Sequence, residues 1–397
     1  MTNKQKTICT VLITAILTFA ASSVLYFAFG SNIVYFLSSN QTAGALSKLS
    51  RIDRLVDKYF YGDIDKNNMQ QWAYAGYLAG LNDPYTEYIS SEDYDSFNEM
   101  STGNYTGIGV EVTKDGDETV ISDVYEGTPA EKAGLLPGDI IKKIDGNDVV
   151  GAELSEISST IKEYGGKTFE MVVERNKNTV TVSVSPSEIE TVQVSSKQLS
   201  DGIYYIRISM FEGHCAEQLK SALAEAKNKN AKGIIFDVRS NPGGALDIII
   251  NCVDQILDEG IILTVKDKNG GETVYKAKDS EKIDLPIVIL TNSRTASAAE
   301  VFTSSLHDNG KAYTVGTKTY GKGVVQTIFD LGDKSIAKIT TAKYFTPNNV
   351  CIDKIGLEPD KTVELDEKYK NTSVRYIPDG EDAQLSAAIE VMKEKIK

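Results

Sequence analysis

Hydrophobic and polar positions follow several different rhythms along this chain, and each rhythm predicts a different element. From Ile8 to Phe29 the residues are predominantly apolar, and no charge occurs between Lys6 and Lys48. A stretch of roughly 20 such residues is long enough to cross a bilayer. It exceeds the ~7–15 residues of a secretory signal core, so an uncleaved anchor is expected, with cleavage after Ala28-Phe29-Gly30 as the alternative. Lys4 and Lys6 precede the span, which predicts a cytoplasmic stub and the remaining chain outside the membrane. In LSRIDRLVDKYF the apolar residues fall at 49, 52, 55, 56, 59 and 60, on one face of a helix. Asp83-Pro84 then breaks the pattern with a turn.

A second rhythm occupies residues 102–185. Short alternating strands are separated by the turn pairs Asp115-Gly116, Pro137-Gly138 and Asp145-Gly146, with one short helix, ELSEISSTIKEYGG. This is the pattern of a small β-rich module. From about 186 the order becomes strand, helix, strand. GIYYIRISMF, GIIFDVRS and LPIVILTN read as strands, and IILTVKDK with ETVYKAK as a strand pair. HCAEQLKSALAEAKNK, ALDIIINCVDQILDEG and the closing DAQLSAAIEVMKEKIK read as helices. Strands alternating with helices predict a mostly parallel α/β sheet. The expected division is therefore 1–41 stub and anchor, 42–101 helical region, 102–185 β-rich module and 186–397 α/β domain.

Length and composition narrow the functions. The 397 residues, 41% hydrophobic and 25% charged, suit two or three globular domains. A net charge of -14 argues against nucleic acid, which needs a basic face. Only Cys215, Cys252 and Cys351 follow the apolar span, and no C-x-x-C occurs, so neither a disulfide framework nor a metal site is expected. His214-Cys215 lack the spaced partners of a zinc site.

Three short stretches carry candidate chemistry. IVILTNSRTASAAEVF reads as strand, turn and helix, which puts Ser297 at the carboxyl end of a strand and near a helix N-terminus. The backbone N–H of Ala298 is free there, and the helix dipole favours a developing negative charge. A serine in such a place is ordinarily an N-cap. Asn241-Pro-Gly-Gly244 ends the buried strand GIIFDVRS, and Gly243 can turn its N–H outward, so Gly243 and Ala298 form a candidate oxyanion hole. In YGKGVVQ, Lys322 lies between glycines ahead of an apolar strand. A lysine titrates near 10.4 unless burial lowers it to roughly 7–8, where it can act as a base. Lys318 is its nearest competitor.

Taken together, these stretches resemble the carboxyl-terminal processing (tail-specific) serine peptidases, over roughly 42–397. The nucleophile motif resembles Thr295-Ala-Ser-Ala-Ala-Glu300. The general-base lysine of the family sits in a G-K-G, here Gly321-Lys322-Gly323, with a glutamine four residues on, Gln326, to orient it. The turn D-x-R-x-N-P-G-G matches Asp237–Gly244, and YFTPNNVCIDKIGLEPD resembles a further signature, with Asn349 where a glycine is common. Residues 102–185 resemble the PDZ domain of that family, with Gly107, Ile108, Gly109 and Val110 as the loop that binds a peptide carboxylate. The resemblance implies a crotonase- or Clp-protease-like β-α core with an inserted PDZ-like domain and N-terminal helices. It implies a membrane-anchored, extracytoplasmic endopeptidase (secreted, if the apolar segment is cleaved). It also implies a cofactor-free Ser–Lys mechanism, protein substrates with exposed apolar C-termini, and a homodimer as a possible assembly.

Other readings compete. A Ser–His–Asp hydrolase would use His307, about 15 Å along the same helix from Ser297, or His214. No G-x-S-x-G elbow surrounds Ser297. S-x-x-K occurs at Ser159–Lys162 and Ser335–Lys338, but without the S-D-N and K-T-G companions of penicillin-binding enzymes. An inactive PDZ scaffold at the membrane is the alternative from a different class.

Overall fold

The computed structural model describes residues 40–94, 97–99, 104–125, 127–190, 192–278, 283–369, 372–378 and 380–397. The expected membrane span at 8–29 lies outside these residues. Among the described residues, no helix is long and apolar enough to cross a membrane. The chain divides into two compact units, 1–74 and 75–397.

In the first unit, helix α1 (Asn40–Tyr59) is followed by α2, which starts at Lys66 and runs to Ala79. Lys66 Nζ lies 2.5 Å from both Asp53 and Asp57, which stand one turn apart on α1. Leu49, Ile52 and Leu55 of α1 remain exposed.

The region 42–101, expected to be helical, also contains a strand. β1 (Glu87–Ile89) pairs antiparallel with a late segment, Ile336–Phe345. Its partner lies some 250 positions away, and a local periodicity cannot register such a pairing.

β2 (Asn104–Gly107) pairs with β9 (Ser187–Glu190), so a two-stranded ribbon flanks the β-rich module at its entry and exit. The module holds β3 (Val110–Asp115), β4 (Glu118–Val124), α3 (Pro129–Lys132), β5 (Ile140–Ile144), β6 (Asn147–Asp148), α4 (Leu154–Glu163), β7 (Phe169–Arg175) and β8 (Asn178–Val184). Its sheet runs β3-β4-β5-β7-β8, with β6 paired to β5. Alternation on β7 buries Phe169, Met171 and Val173 and exposes Glu170. Those residues form one core with Ile121, Ile141 and Ile144 and with Ile157 and Ile161 of α4.

The remaining chain builds two further sheets. One is six-stranded: β10 (Val194–Gln198), β11 (Ile203–Ile208), β12 (Gly233–Asp237), β15 (Ile287–Thr291), β16 (Ala312–Gly316) and β19 (Lys361–Thr362). It is parallel throughout except between β10 and β11. The other joins β1, β13 (Ile261–Asp267), β14 (Glu272–Lys276), β17 (Val324–Asp330) and β18 (Ile336–Phe345) in antiparallel pairs. On β12 and β15 every residue is buried, because both faces of the sheet are covered. Ile234, Phe236, Ile287 and Ile289 face a core with α5 (Cys215–Asn228), α6 (Leu246–Asp254) and α7 (Ala298–Asp308). Ile235, Val288 and Leu290 face the other way, onto α8 (Ala383–Lys395). Phe302 of α7 contacts the rings of Phe211 and Phe236, with centroids 5.5 and 5.2 Å away.

A buried ionic knot ties β12 to α8. Arg239 Nη2 lies 2.6 Å from Asp237 Oδ2 and 2.8 Å from Asp382 Oδ2, and Nη1 donates to Gln384 Oε1 at 3.1 Å. Asp382 also caps α8 by accepting from Leu385 N–H. Burial opposes charge on Asp237, but the Arg239 guanidinium and its hydrogen bonds outweigh that and hold the carboxyl below its ordinary 3.8. Arg239→Met leaves two buried carboxylates without their cation, so urea unfolding should read a loss of about 3–5 kcal/mol. The knot's contribution is complete above pH 3.8 and is lost as pH falls through the lowered native value, so the variant should show a flatter acid limb than the parent. Equal stability of the two proteins at neutral pH would refute this account.

Candidate active site

β12 and β15 are parallel neighbours, so the turns at their carboxyl ends lie side by side. Three bonds stitch those turns together. Thr295 Oγ1 donates to Val238 O at 2.8 Å, Ala296 N–H to Asn241 O at 2.9 Å, and Ser240 N–H to Asn292 Oδ1 at 2.8 Å. The following residue, Ser297, is forced to φ 55° and ψ −120°, a conformation that L residues avoid. Such strain costs about 1–3 kcal/mol and persists only where the surroundings over-determine it. Ser297 caps α7, as a serine at this point commonly does, but in a backbone conformation that an N-cap does not require.

Gly243 stands directly against the serine. A side chain there would put its Cβ 2.7 Å from Ser297 Cβ and 2.9 Å from Ala298 N, so only glycine fits. Ala298 N–H has no acceptor among the described residues. Gly243 N–H differs from the expectation that it turns outward: it donates to Asn241 Oδ1 at 2.8 Å. The buried Asn241 side chain closes an Asx turn, a local bond that Asn ahead of Pro-Gly favours.

The loop from Thr319 to Gly323 approaches from the other side. Glu300, fully buried in the first turn of α7, organises it. Its carboxylate accepts from Ser297 N–H at 2.9 Å, Thr319 Oγ1 at 2.6 Å, Gly321 N–H at 2.8 Å and Lys322 N–H at 2.8 Å. One anion thus holds the backbones of Ser297 and Lys322. Burial pushes its pKa up, and the four donors act in the opposite direction. The buried Tyr344 hydroxyl repeats the link, donating to Ser297 O at 3.1 Å and to Lys322 O.

Ser297, Ala298, Gly243, Lys322 and Gln326 all line one cavity of about 470 Å³. Burial, reinforced by the charge of Lys338, lowers the Lys322 pKa below 10.5, against weaker support from Glu87, Asp83 and Glu300. Lys322 Nζ rests 4.7 Å from the centre of the Tyr85 ring. Gln326 Nε2 donates to Thr340 Oγ1 at 3.2 Å rather than to the lysine. The competitors lie outside the cavity lining. Lys318 pairs with Glu358 at 2.7 Å. His307 is held between Asp308 and Asp360, which raise its pKa to about 9. His214 and Ser335 do not line the cavity either, although Lys338 does.

In the β-rich module, the carbonyls of Ile108 and Gly109 accept from Ala130 and Tyr125, while their N–H groups meet no acceptor among the described residues. Gly109 has φ 87°, and a Cβ there would lie 2.3 Å from Thr128 Cβ. Gly107 ends β2 and Val110 begins β3, beside α4.

Sequence patterns did not single out Glu300, Tyr344 or Tyr85. The spacing Ser297-x-x-Glu300 is a capping-box signal that could have pointed to the first. Nothing local marks the tyrosines, whose side chains reach Ser297 or Lys322 from 22 or more positions away.

Fold and site together define a serine-type peptidase carrying a PDZ module. Comparison with known proteins agrees. Residues 202–363 match Peptidase family S41, and residues 120–175 match the PDZ domain. A "Probable CtpA-like serine protease" of Staphylococcus aureus (strain MSSA476) is 32% identical over 92% of this chain and 73% of its own. The "Carboxy-terminal processing protease CtpA" of Bacillus subtilis (strain 168) is 33% identical over 93% and 79%. A solved structure assigned to the S41 proteases, from Bacteroides fragilis, shares the fold with a TM-score of 0.56 at 17% identity, over 85% of this chain and 98% of that one. The chain belongs to peptidase family S41, as a CtpA-like carboxyl-terminal processing serine protease with a PDZ domain.

Glu300→Gln replaces an oxygen that accepts backbone N–H groups by an amide nitrogen that repels them. Small displacements of reacting groups cost about 10²-fold, so kcat/KM should fall by about that factor while the thermal unfolding profile stays cooperative. Unchanged kcat/KM would remove Glu300 from any positioning role.

Proposed function

We propose that the chain is a membrane-anchored, extracytoplasmic endopeptidase that works by a Ser–Lys mechanism. The observation that carries the mechanism is the convergence of Ser297 and a half-buried, pKa-lowered Lys322 on one cavity, with no histidine among the described residues of its lining. The neutral Lys322 amine takes the proton as Ser297 Oγ adds to the scissile carbonyl carbon. The resulting oxyanion faces Ala298 N–H. Collapse expels the amine product, which takes the proton from Lys322, and leaves an ester on Ser297. Water then attacks the ester, Lys322 again takes the proton, and collapse returns it to Ser297.

Three contacts fit a resting arrangement: Lys322 over Tyr85, Gln326 on Thr340 and Gly243 N–H on Asn241. In the working arrangement Gln326 orients Lys322, and Gly243 N–H joins Ala298 at the oxyanion. The PDZ module is suited to influence that change. Lys162 of α4 pairs at 2.6 Å with Glu99, two residues from Phe97, which lines the cavity. Asp123 at the end of β4 is held by Tyr376 and Arg375 of the catalytic domain.

With the full chain in detergent and an unfolded, apolar-tailed protein as substrate, Ser297→Ala and Lys322→Met should each lose at least about 10³-fold in rate. The parent's kcat/KM should rise with pH through a Lys322 pKa below 10.5. A lowered lysine pKa means that the fold prefers the neutral amine, so Lys322→Met should melt at the same or a higher temperature below that pKa. Activity surviving Lys322→Met would remove the lysine from the mechanism.

We propose further that Gly107–Val110 receives the substrate's terminal carboxylate, supported by the free N–H groups of Ile108 and Gly109. A tail peptide should bind the Ser297→Ala protein at least tenfold more tightly than its C-terminal amide, and equal binding would end this assignment. The membrane anchor rests on residues 8–29, and resistance to alkaline extraction is its assay. A homodimer through the exposed stripe of α1 is the companion proposal, read by molar mass in detergent.

A further inference from the structure

One charged group in the active-site cavity is unused by this mechanism. Glu212 lies in the turn between β11 and α5, and its Oε2 is buried without a hydrogen-bond donor among the described residues. Its backbone is rigidly placed. The adjacent Phe211 is fully buried, donates its N–H to Gly243 O at 2.8 Å, and accepts from Ala245 N–H at 2.9 Å. Glu212 is therefore tied to the same glycine turn that abuts Ser297.

The surroundings make this carboxylate conspicuous. Met210, Leu246, Ile249, Val301, Val324 and Tyr344 give the cavity mostly apolar walls. The other charged residues of the lining are Lys322 and Lys338. Lys322 acts as the neutral amine, and Lys338 is paired with Glu87 at 2.9 Å. Burial raises the Glu212 pKa, with only the more distant charge of Lys338 opposing. A buried polar atom is ordinarily satisfied, and an exception calls for an explanation.

We propose that Glu212 is a specificity-determining residue that accepts the cationic end of a substrate lysine or arginine whose aliphatic stem fills the apolar part of the cavity. A basic side chain matches both halves of the site: the methylene stem covers the apolar wall, and the head forms a charge-assisted hydrogen bond with the orphan oxygen. A site built to bond a charged group discriminates strongly against an analogue lacking it, because the carboxylate is then left unpaired. The assignment rests on Ser297 being the nucleophile of this cavity, and it adds a sequence preference near the cut to any reading of the tail.

The test is to digest a defined mixture of unfolded proteins with the full chain, Glu212→Gln and Glu212→Leu, and to identify every cut end by mass spectrometry. The parent should enrich lysine and arginine severalfold at one subsite beside the cut. Glu212→Gln should reduce that enrichment to less than twofold, and Glu212→Leu should favour leucine or methionine there. Melting temperatures as high as the parent's would show that the variants fold. The same cut-site preferences in all three proteins would overturn the proposal. If the parent stays in its resting arrangement and cuts nothing, binding decides the role of Glu212. Two fluorescent peptides that differ only as lysine against norleucine would be titrated onto Ser297→Ala with and without Glu212→Leu. Tighter binding of the lysine peptide by about tenfold, lost in the double variant, supports the assignment. Equal binding refutes it.

Discussion

The site depends on one buried carboxylate. Glu300 accepts four hydrogen bonds, and they come from both the Ser297 backbone and the Thr319–Lys322 loop. These segments approach from different strands, and without an acceptor between them three backbone N–H groups would be buried unsatisfied. An ionised acceptor makes stronger bonds than a neutral one. It also suits a place beside the N-terminus of α7, where the helix dipole favours negative charge. The strained φ of Ser297 is tolerable because its neighbours are bonded on both sides, through Ala296 N–H to Asn241 and through its own N–H to Glu300.

The same economy explains why the candidate catalytic groups share one cavity yet are bonded to other neighbours. Lys322 is half-buried in the cavity, and that burial lowers its pKa. The Tyr85 ring then offers the ammonium form a favourable face, which works against the burial. Gln326 and the Gly243 N–H are each satisfied by a neighbour, Thr340 and Asn241, instead of by the lysine or an oxyanion. None of these contacts is covalent. The ion pair from the PDZ helix to Glu99 and the contacts of Asp123 with Tyr376 and Arg375 join the module to the rest of the chain.

Much of the fold was legible from period alone. The all-buried GIIFD and IVILT runs announced central parallel strands, and the alternation of FEMVVER announced a half-exposed one, since covering one or two faces of a sheet leaves different patterns. β1 was missed because three residues after a turn form a strand only when Ile336–Lys338 is there to pair with them. At the site, Ser297, Gly243 and Lys322 stood out because each sits in a short motif of glycine and small residues, whereas Gln326 was named only through the family resemblance. Glu300 stood inside one of those motifs and was passed over, because its partners are three to 22 positions away and only one of them is on its own helix turn.

The sequence by itself determined which chemistry is available. It supplied a serine at a strand end, a lysine between glycines, a turn rich in glycine and a module with a glycine-containing loop, because these depend on local backbone preference and residue type. Tertiary structure decided how that chemistry stands. Burial lowered the Lys322 pKa, a carboxylate joined two loops, and Glu212 was left on the cavity without a donor among the described residues. Each of these outcomes depends on solvent exclusion and on partners brought together from distant parts of the chain, and neither quantity exists until the chain has folded.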